Sequence, residues 1–200
     1  VSQDFWQVLP KVSLKYECSS NTFTYVSVAK GYKTGGYNVQ MSADVMQSQM
    51  QYDMMSAFKD MMPIEVKEPT PIEEVASYKP EKSWNYEVGA HLSTPSHKVQ
   101  ADLALFYIDC RDQQLTIFPE GTTTGRMMTN AGRTRSFGGE LSLQVSPWQN
   151  LDINAAYGYT NAKFVRYNDG KTDYKGNYLP YAPQHTLSAN GAWTIPTGVQ

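Results

Sequence analysis

Residues 81 to about 118 restrict the fold more than any other stretch. Trp84, Tyr86, Val88, Ala90 and Leu92 alternate with Ser83, Asn85, Glu87, Gly89 and His91. After Thr94-Pro95-Ser96-His97, the residues Val99, Ala101, Leu103, Leu105 and Tyr107 alternate with Gln100, Asp102, Ala104, Phe106 and Ile108. Period-two alternation over about ten residues, broken by a Pro/Ser turn, describes two paired strands with one apolar and one polar face. The arms are about twice the usual strand length of five or six residues. Each apolar face also carries an aromatic at the end far from the turn. Strands of about nine to eleven residues, apolar outside and ringed by aromatics, meet the needs of a tilted transmembrane strand.

The same alternation recurs along the chain. Val12, Leu14 and Tyr16 form one side of a first strand, and residues 23–32 form a second. In the second the faces are ambiguous, because Phe23, Tyr25 and Ala29 compete with Val26 and Val28. A fifth strand covers about 129–146, a sixth carries Leu151, Ile153, Ala155, Tyr157 and Tyr159, and a seventh carries Leu187, Ala189, Trp193 and Ile195. Connections alternate between short (18–21, 94–97, 147–150) and long (33–79, 119–125, 167–181). The expectation is an all-β fold, an antiparallel up-and-down meander of about seven long strands forming part of a transmembrane β-barrel. Short turns then lie on the periplasmic side and long loops outside the cell. A band about 25 Å tall takes about ten residues at a rise of 3.3 Å and a tilt near 40°. Ten residues up from each short turn lie Trp6, Trp84, Tyr107, Phe137 and Tyr159 or their immediate neighbours, all on the apolar face. Tyr16, Trp148 and Trp193 mark the lower edge.

The long insert, residues 33–79, holds the chain's helical signal, over about 43–62. Met46, Met50, Met54, Phe58 and Met61/Met62 recur at spacings of three and four; Ser42 suits a cap and Pro63 a stop. Two readings are open: soft Met side chains capping a pore mouth against an apolar or chelate ligand, or a loop helix burying its Met face on the barrel rim.

Tyr78-Lys79-Pro80-Glu81-Lys82-Ser83-Trp84-Asn85-Tyr86-Glu87-Val88-Gly89 resembles the "KPE…W…YE-G" strand of TonB-dependent outer-membrane receptors. Leu105-Phe106-Tyr107-Ile108-Asp109 with Gln113-Gln114, and the run from Tyr25 through Lys30-Gly31-Tyr32-Lys33-Thr34-Gly35-Gly36-Tyr37-Asn38, resemble the same family. The resemblance implies a receptor in the outer membrane of a Gram-negative bacterium. Such a receptor binds a bulky, scarce nutrient at its mouth (ferric siderophore, haem, cobalamin or saccharide). It imports that nutrient when the TonB complex moves an N-terminal plug. An iron-siderophore or related iron complex is the expected ligand; a saccharide receptor, or a soluble β-sheet glycan-binding module, is the alternative. Plug and TonB box are absent from these 200 residues and both ends look cut, so residues 1–200 are expected to be a partial barrel. The family's barrel has about twenty-two strands, so an isolated copy is expected to self-associate through its open edges and apolar face.

Other classes find little support. A net charge of −2 offers nothing to nucleic acid, and no run of about eighteen apolar residues suggests a membrane helix. His91, His97 and His185 are scattered, and Ser93 or Ser96 beside His97 is a weak offer for catalysis at a turn, so no enzyme, cofactor or metal site is expected. Cys18 and Cys110 fall at opposite strand ends, too far apart for a disulfide, and are expected to be free thiols. Ligand contacts are expected at Tyr32, Lys33, Tyr37, Met50 and Met54. Arg111, Arg133 and Arg135 face outward above the band and are expected to meet outer-membrane lipid, the phosphates of lipopolysaccharide, through the guanidinium fork.

Overall fold

The computed structural model describes residues 4–38, 42–57, 77–117, 127–169 and 171–195. In chain order the elements are β1 (Lys11–Ser19), β2 (Thr22–Lys33), β3 (Gly36–Tyr37), α1 (Ser42–Ala57), β4 (Ser77–Tyr78), β5 (Glu81–Ser93), β6 (Val99–Ile117), β7 (Met127–Trp148), β8 (Leu151–Arg166) and β9 (His185–Trp193). Seven strands make one antiparallel sheet in the order β1-β2-β5-β6-β7-β8-β9, and β3 pairs with β4. Neighbours in space are neighbours in sequence, apart from the insert that β3 and β4 close at its base. The short connections therefore share one end of the sheet and the long ones the other. β1 continues past Tyr16 to Ser19, through a register irregularity between Glu17 and Ser19 that accommodates Cys18. β6 and β7, at 19 and 22 residues, run well beyond the ten that the apolar band requires. Their surplus stands above that band at the long-connection end.

Pairing settles the ambiguous faces of β2. Val26 lies opposite Val88, and Val28 opposite Tyr86, so both valines join the apolar side. Phe23 and Tyr25 point to the polar side. There Phe23 stacks on His91 at 5.2 Å, and the Tyr25 hydroxyl donates to Glu87 at 2.7 Å. Gly89 is a requirement of that arrangement: a Cβ on it would stand 2.5 Å from the Tyr25 ring. The Glu87 carboxylate for Tyr25 and the His91 ring for Phe23 explain why aromatics tolerate the polar face here.

The apolar side has no partner layer. Val12, Leu14, Val88, Leu103, Leu105, Leu141, Leu143, Ile153 and Leu187 are all exposed. The buried side chains among the described residues, Cys110, Gln114, Ala131, Thr134, Ala162 and Phe164, gather at the long-connection end. A water-soluble sheet buries its greasy face; this one buries the base of its loops instead.

The aromatic ring does not follow one row of paired residues. Trp84 pairs with Asp109, Tyr107 with Phe137 two residues lower, and Tyr159 with Gly139 two lower again. The ring thus drops four positions over the three steps from β5 to β8. Strands about 4.8 Å apart and tilted about 40° put a level line about 4 Å, or roughly 1.2 residues, lower on each successive strand. The observed drop of about 1.3 per strand is what a level ring on tilted strands requires.

α1 (Ser42–Ala57) falls where a helix is expected, and residues 58–62 lie outside the described residues. Its side chains at Met46, Met50 and Met54 are 70%, 73% and 58% exposed, so the Met face is not buried on the rim and does not cover the sheet's apolar side. Met46, Met50 and Met54 alone offer too narrow an apolar stripe to fasten the helix. The Ser42 side chain, Phe58, Met61, Met62 and Pro63 lie outside the described residues. Among the described residues no helix is long and apolar enough to cross a membrane. Cys18 and Cys110 are both free thiols, the first exposed and the second buried.

Candidate functional site

Above the strands, the chain between β8 and β9 folds into a small hairpin. Its turn is built by one carboxylate: Asp169 accepts from the backbone N–H groups of Lys171 at 2.9 Å and Thr172 at 2.8 Å, and from the Tyr174 hydroxyl at 2.9 Å. Such side-chain-to-backbone bonds are the usual way Asp sets a turn. They hold the Asp169 carboxyl below its ordinary range, the Lys171 amide contributing most. The bond to Asp169 pushes the Tyr174 phenol up, and burial pushes the Tyr167 phenol up. Both rings therefore stay neutral at physiological pH. Beyond the turn the chain doubles back on β8: Phe164 N–H donates to Asn177 O, Gly176 N–H to Phe164 O, and Leu179 N–H to Ala162 O, at 2.9–3.0 Å.

This return stacks aromatics. Tyr167 and Tyr174 lie face to face at 5.3 Å, and Phe164 packs against Tyr167 at 5.2 Å. Phe164 belongs to the row Ser83–Cys110–Thr134–Phe164 on the polar side of the sheet. With Leu115 and Ile117 from the top of β6, the cluster lines a cavity of about 720 Å³ that Asp169, Lys171, Asn177 and Tyr178 border. A cavity of that size, with an apolar and aromatic wall and a few polar groups, has the character of a small-molecule site.

The neighbouring long insert is fastened by side chains that mimic strand pairing. Asn38 donates to Met128 O at 2.9 Å and accepts from Met128 N–H at 2.8 Å. Asn130 does the same to Lys79, at 3.0 and 2.7 Å, and also donates to Asp112 O. Gln114 binds Thr34 O and Lys79 O through its amide, while its N–H reaches Glu81. Both ends of the insert are thus tied to β6 and β7 beside the cavity.

Of the expected ligand contacts, Tyr32 and Lys33 end β2, Tyr37 is exposed in β3, and Met50 and Met54 are exposed on α1. None of the five lines the cavity. The residues that do line it escaped the sequence reading, since residues 167–181 alternate too briefly to register as strand. The available signal was Tyr167 and Tyr174 flanking Asp169-Gly170, a turn dipeptide. Arg111, Arg133 and Arg135 lie on the apolar side of β6 and β7, where Asp109 accepts from Arg133 Nε at 2.6 Å. At the 94–98 turn Ser93 Oγ comes within 3.1 Å of His97 Nδ1, with no carboxylate orienting that imidazole among the described residues.

Comparisons agree with this architecture. Residues 1–199 match the family model for the TonB dependent receptor-like β-barrel. The pesticin receptor of Yersinia enterocolitica is 29% identical over 193 residues, spanning 96% of this chain and 23% of the relative. The crystal structure of the ferric yersiniabactin uptake receptor FyuA from Yersinia pestis superposes with a TM-score of 0.61 at 22% identity, covering 96% of this chain and 24% of that one. The siderophore receptor PiuA from Acinetobacter baumannii gives 0.58 at 17%, covering 92% and 23%. The chain therefore spans about a quarter of the length of these relatives. The polar side of the sheet is the wall of a barrel interior and the cavity sits at its mouth: the chain belongs to the β-barrel domain of the TonB-dependent receptors, a family of transport receptors and not of enzymes.

Proposed function

We propose that the parent protein is an outer-membrane receptor of a Gram-negative bacterium that captures an iron-siderophore or related iron complex and imports it with energy from TonB. The cavity of about 720 Å³ walled by Phe164, Tyr167 and Tyr174 carries this reading. Stacked phenols offer flat faces to an aromatic chelator, and Lys171 on the border suits the negative charge of a ferric chelate. That structural neighbours are named as the ferric yersiniabactin uptake receptor, a ferric-catecholate import receptor and the pyoverdine outer membrane receptor supports the iron ligand. Lys33 and Tyr37 at the base of the insert, with Met50 and Met54 exposed on α1, form a second contact group for the ligand beside the cavity, whereas Tyr32, paired with Lys82, lies on the apolar side of the sheet. The test is fluorescence titration of the full-length receptor with a panel of ferric siderophores, with haem and with oligosaccharides. The expected result is saturable quenching by one ferric siderophore, weakened about tenfold in Tyr174→Ala, as loss of one stacking partner implies. Binding of an oligosaccharide but of no iron complex would transfer the site to a sugar, for which Asn177 and the tyrosine faces are equally suited.

A further inference from the structure

Above the apolar band, the two faces of β6 and β7 trade places. Along most of β6 the odd residues Leu103, Leu105, Tyr107 and Arg111 lie on the apolar side, and the even ones on the polar side. Above Asp112 this parity reverses. Gln113, an odd residue, accepts on its side-chain oxygen from the hydroxyl of Thr134, which belongs to the polar-side row with Cys110 and Phe164. Ala131, the strand partner of Gln113, is fully buried. Leu115 and Ile117, odd as well, line the cavity with Phe164 and Tyr167. The Thr116 side chain between them turns to Met128, donating to its Sδ at 3.2 Å. One backbone feature accounts for the reversal. Asp112 has a φ of 54°, in the left-handed region, and it is the only non-glycine residue inside a β-strand to do so among the described residues. Such a residue lacks the extended backbone that sends successive side chains to opposite faces. Asn130 Nδ2 donates to Asp112 O at 2.7 Å and secures the step. Across from it stands Gly132, where a Cβ would come within 2.7 Å of Arg166 O. The pairs Arg111↔Arg133 and Gln113↔Ala131 keep one register across the step, so both strands turn over together.

We infer that Asp112 is a positioning residue of the ligand site. Its left-handed backbone turns Leu115 and Ile117 into the mouth as contacts for the apolar part of the ligand, and this inference rests on the capture reading given above. The same step gives Gln114 and Asn130, which pair across the strands, to the insert, where they bind Thr34 O and Lys79 O. Unbroken alternation would do the opposite. Leu115 and Ile117 would continue the column of Tyr107 and Arg111 and stand in water outside the barrel, while two amides would fill the cavity and leave the insert unfastened. A leucine and an isoleucine beside the Phe164 and Tyr167 rings suit a ligand that carries an aromatic or aliphatic part next to its charged centre. Asp112 acts through its backbone angle and not through contact with the ligand. The demand on its side chain is therefore steric: glycine adopts a positive φ freely and asparagine readily, whereas a β-branched residue there is strained.

The test compares Asp112→Gly, Asp112→Asn and Asp112→Val in the full-length receptor in detergent. Ferric siderophore affinity, read by fluorescence titration, stays within about twofold in the glycine and asparagine variants. It falls about tenfold in Asp112→Val, as the strain of a left-handed β-branched residue implies. The face is read separately and without ligand. In a Cys18→Ser background, where the remaining native thiol of Cys110 is buried, Leu115→Cys, Thr116→Cys and Ile117→Cys are each reacted with a water-soluble maleimide. With Asp112 or with Asp112→Gly, positions 115 and 117 react more slowly than 116, and bound siderophore slows them further. In Asp112→Val that order is lost. Should Asp112→Val fail to assemble, as heat-modifiable gel migration reveals, the order of reactivity in wild type and Asp112→Gly decides alone. Should no ferric siderophore bind, the capture reading fails while the reactivity order still tests the turn. Equal affinity in Asp112→Val and Asp112→Gly, or a Thr116→Cys as slow and as protected as its two neighbours, overturns the assignment.

Discussion

The body of the sheet and its long-connection end obey different rules. In the body, each residue's role follows from whether its position is odd or even: one side greasy, the other polar, with neighbours fixed by a pairing register that runs through β5 to β8 with few breaks. At the mouth, order comes from side chains bonding to backbone. Asn38, Asn130, Gln114 and Asp169 replace strand partners where regular pairing stops. The body is robust because many small periodic choices agree. The mouth is specific because a few polar groups each hold one loop, which lets loops change ligand without disturbing the strands beneath.

The largest expected effect strikes the body. Leu103→Arg puts a charge on the hydrocarbon side near mid-height and costs about 2–4 kcal/mol, read from urea titration of the full-length receptor folding into lipid vesicles. The adjacent Ala104→Lys faces the polar side and costs under about 1 kcal/mol. Equal costs at the two positions would abolish the distinction between faces. Next comes Gly89→Val, which must displace the Tyr25 ring from 2.5 Å. It costs about 1–3 kcal/mol as an overpacked site, measured in the same assay, and Tyr25→Ala in the same chain restores much of it. The smallest effect belongs to the mouth and is a matter of pH. Because hydrogen bonds lower the Asp169 pKa in the folded hairpin, its contribution is complete above the ordinary carboxylate range. It disappears as pH falls through the depressed value. Amide exchange at Lys171 and Thr172 should therefore accelerate, relative to β8, only in acid, and Asp169→Asn should be insensitive to that change. An acid response shared by β8 would make the hairpin part of the body.

What could be read beforehand divides along the same line. The seven strands, the sorting of turns by length and the aromatic ring were legible because period two repeats over many residues. The faces of β2 were not, since Phe23 and Tyr25 are as hydrophobic as Val26 and Val28; only partners across the strand, His91 and Glu87, decide between them. The insert's helix was legible as a helix, but whether Met50 and Met54 touch anything depends on what stands opposite, which spacing does not encode. The cavity was illegible for the same reason, being made by Leu115 and Tyr167, over fifty positions apart.

The downward step of the ring from strand to strand has a practical corollary for exchanging parts between receptors. A block of strands transplanted into a sibling barrel has to enter at a register that continues the host's slope. An offset of even two residues at the seam would lift Trp84 or sink Tyr159 by about 5 Å, leaving one flank of the hybrid standing in the headgroups and the other stranded in oil, although every hydrogen bond at the join could still be made.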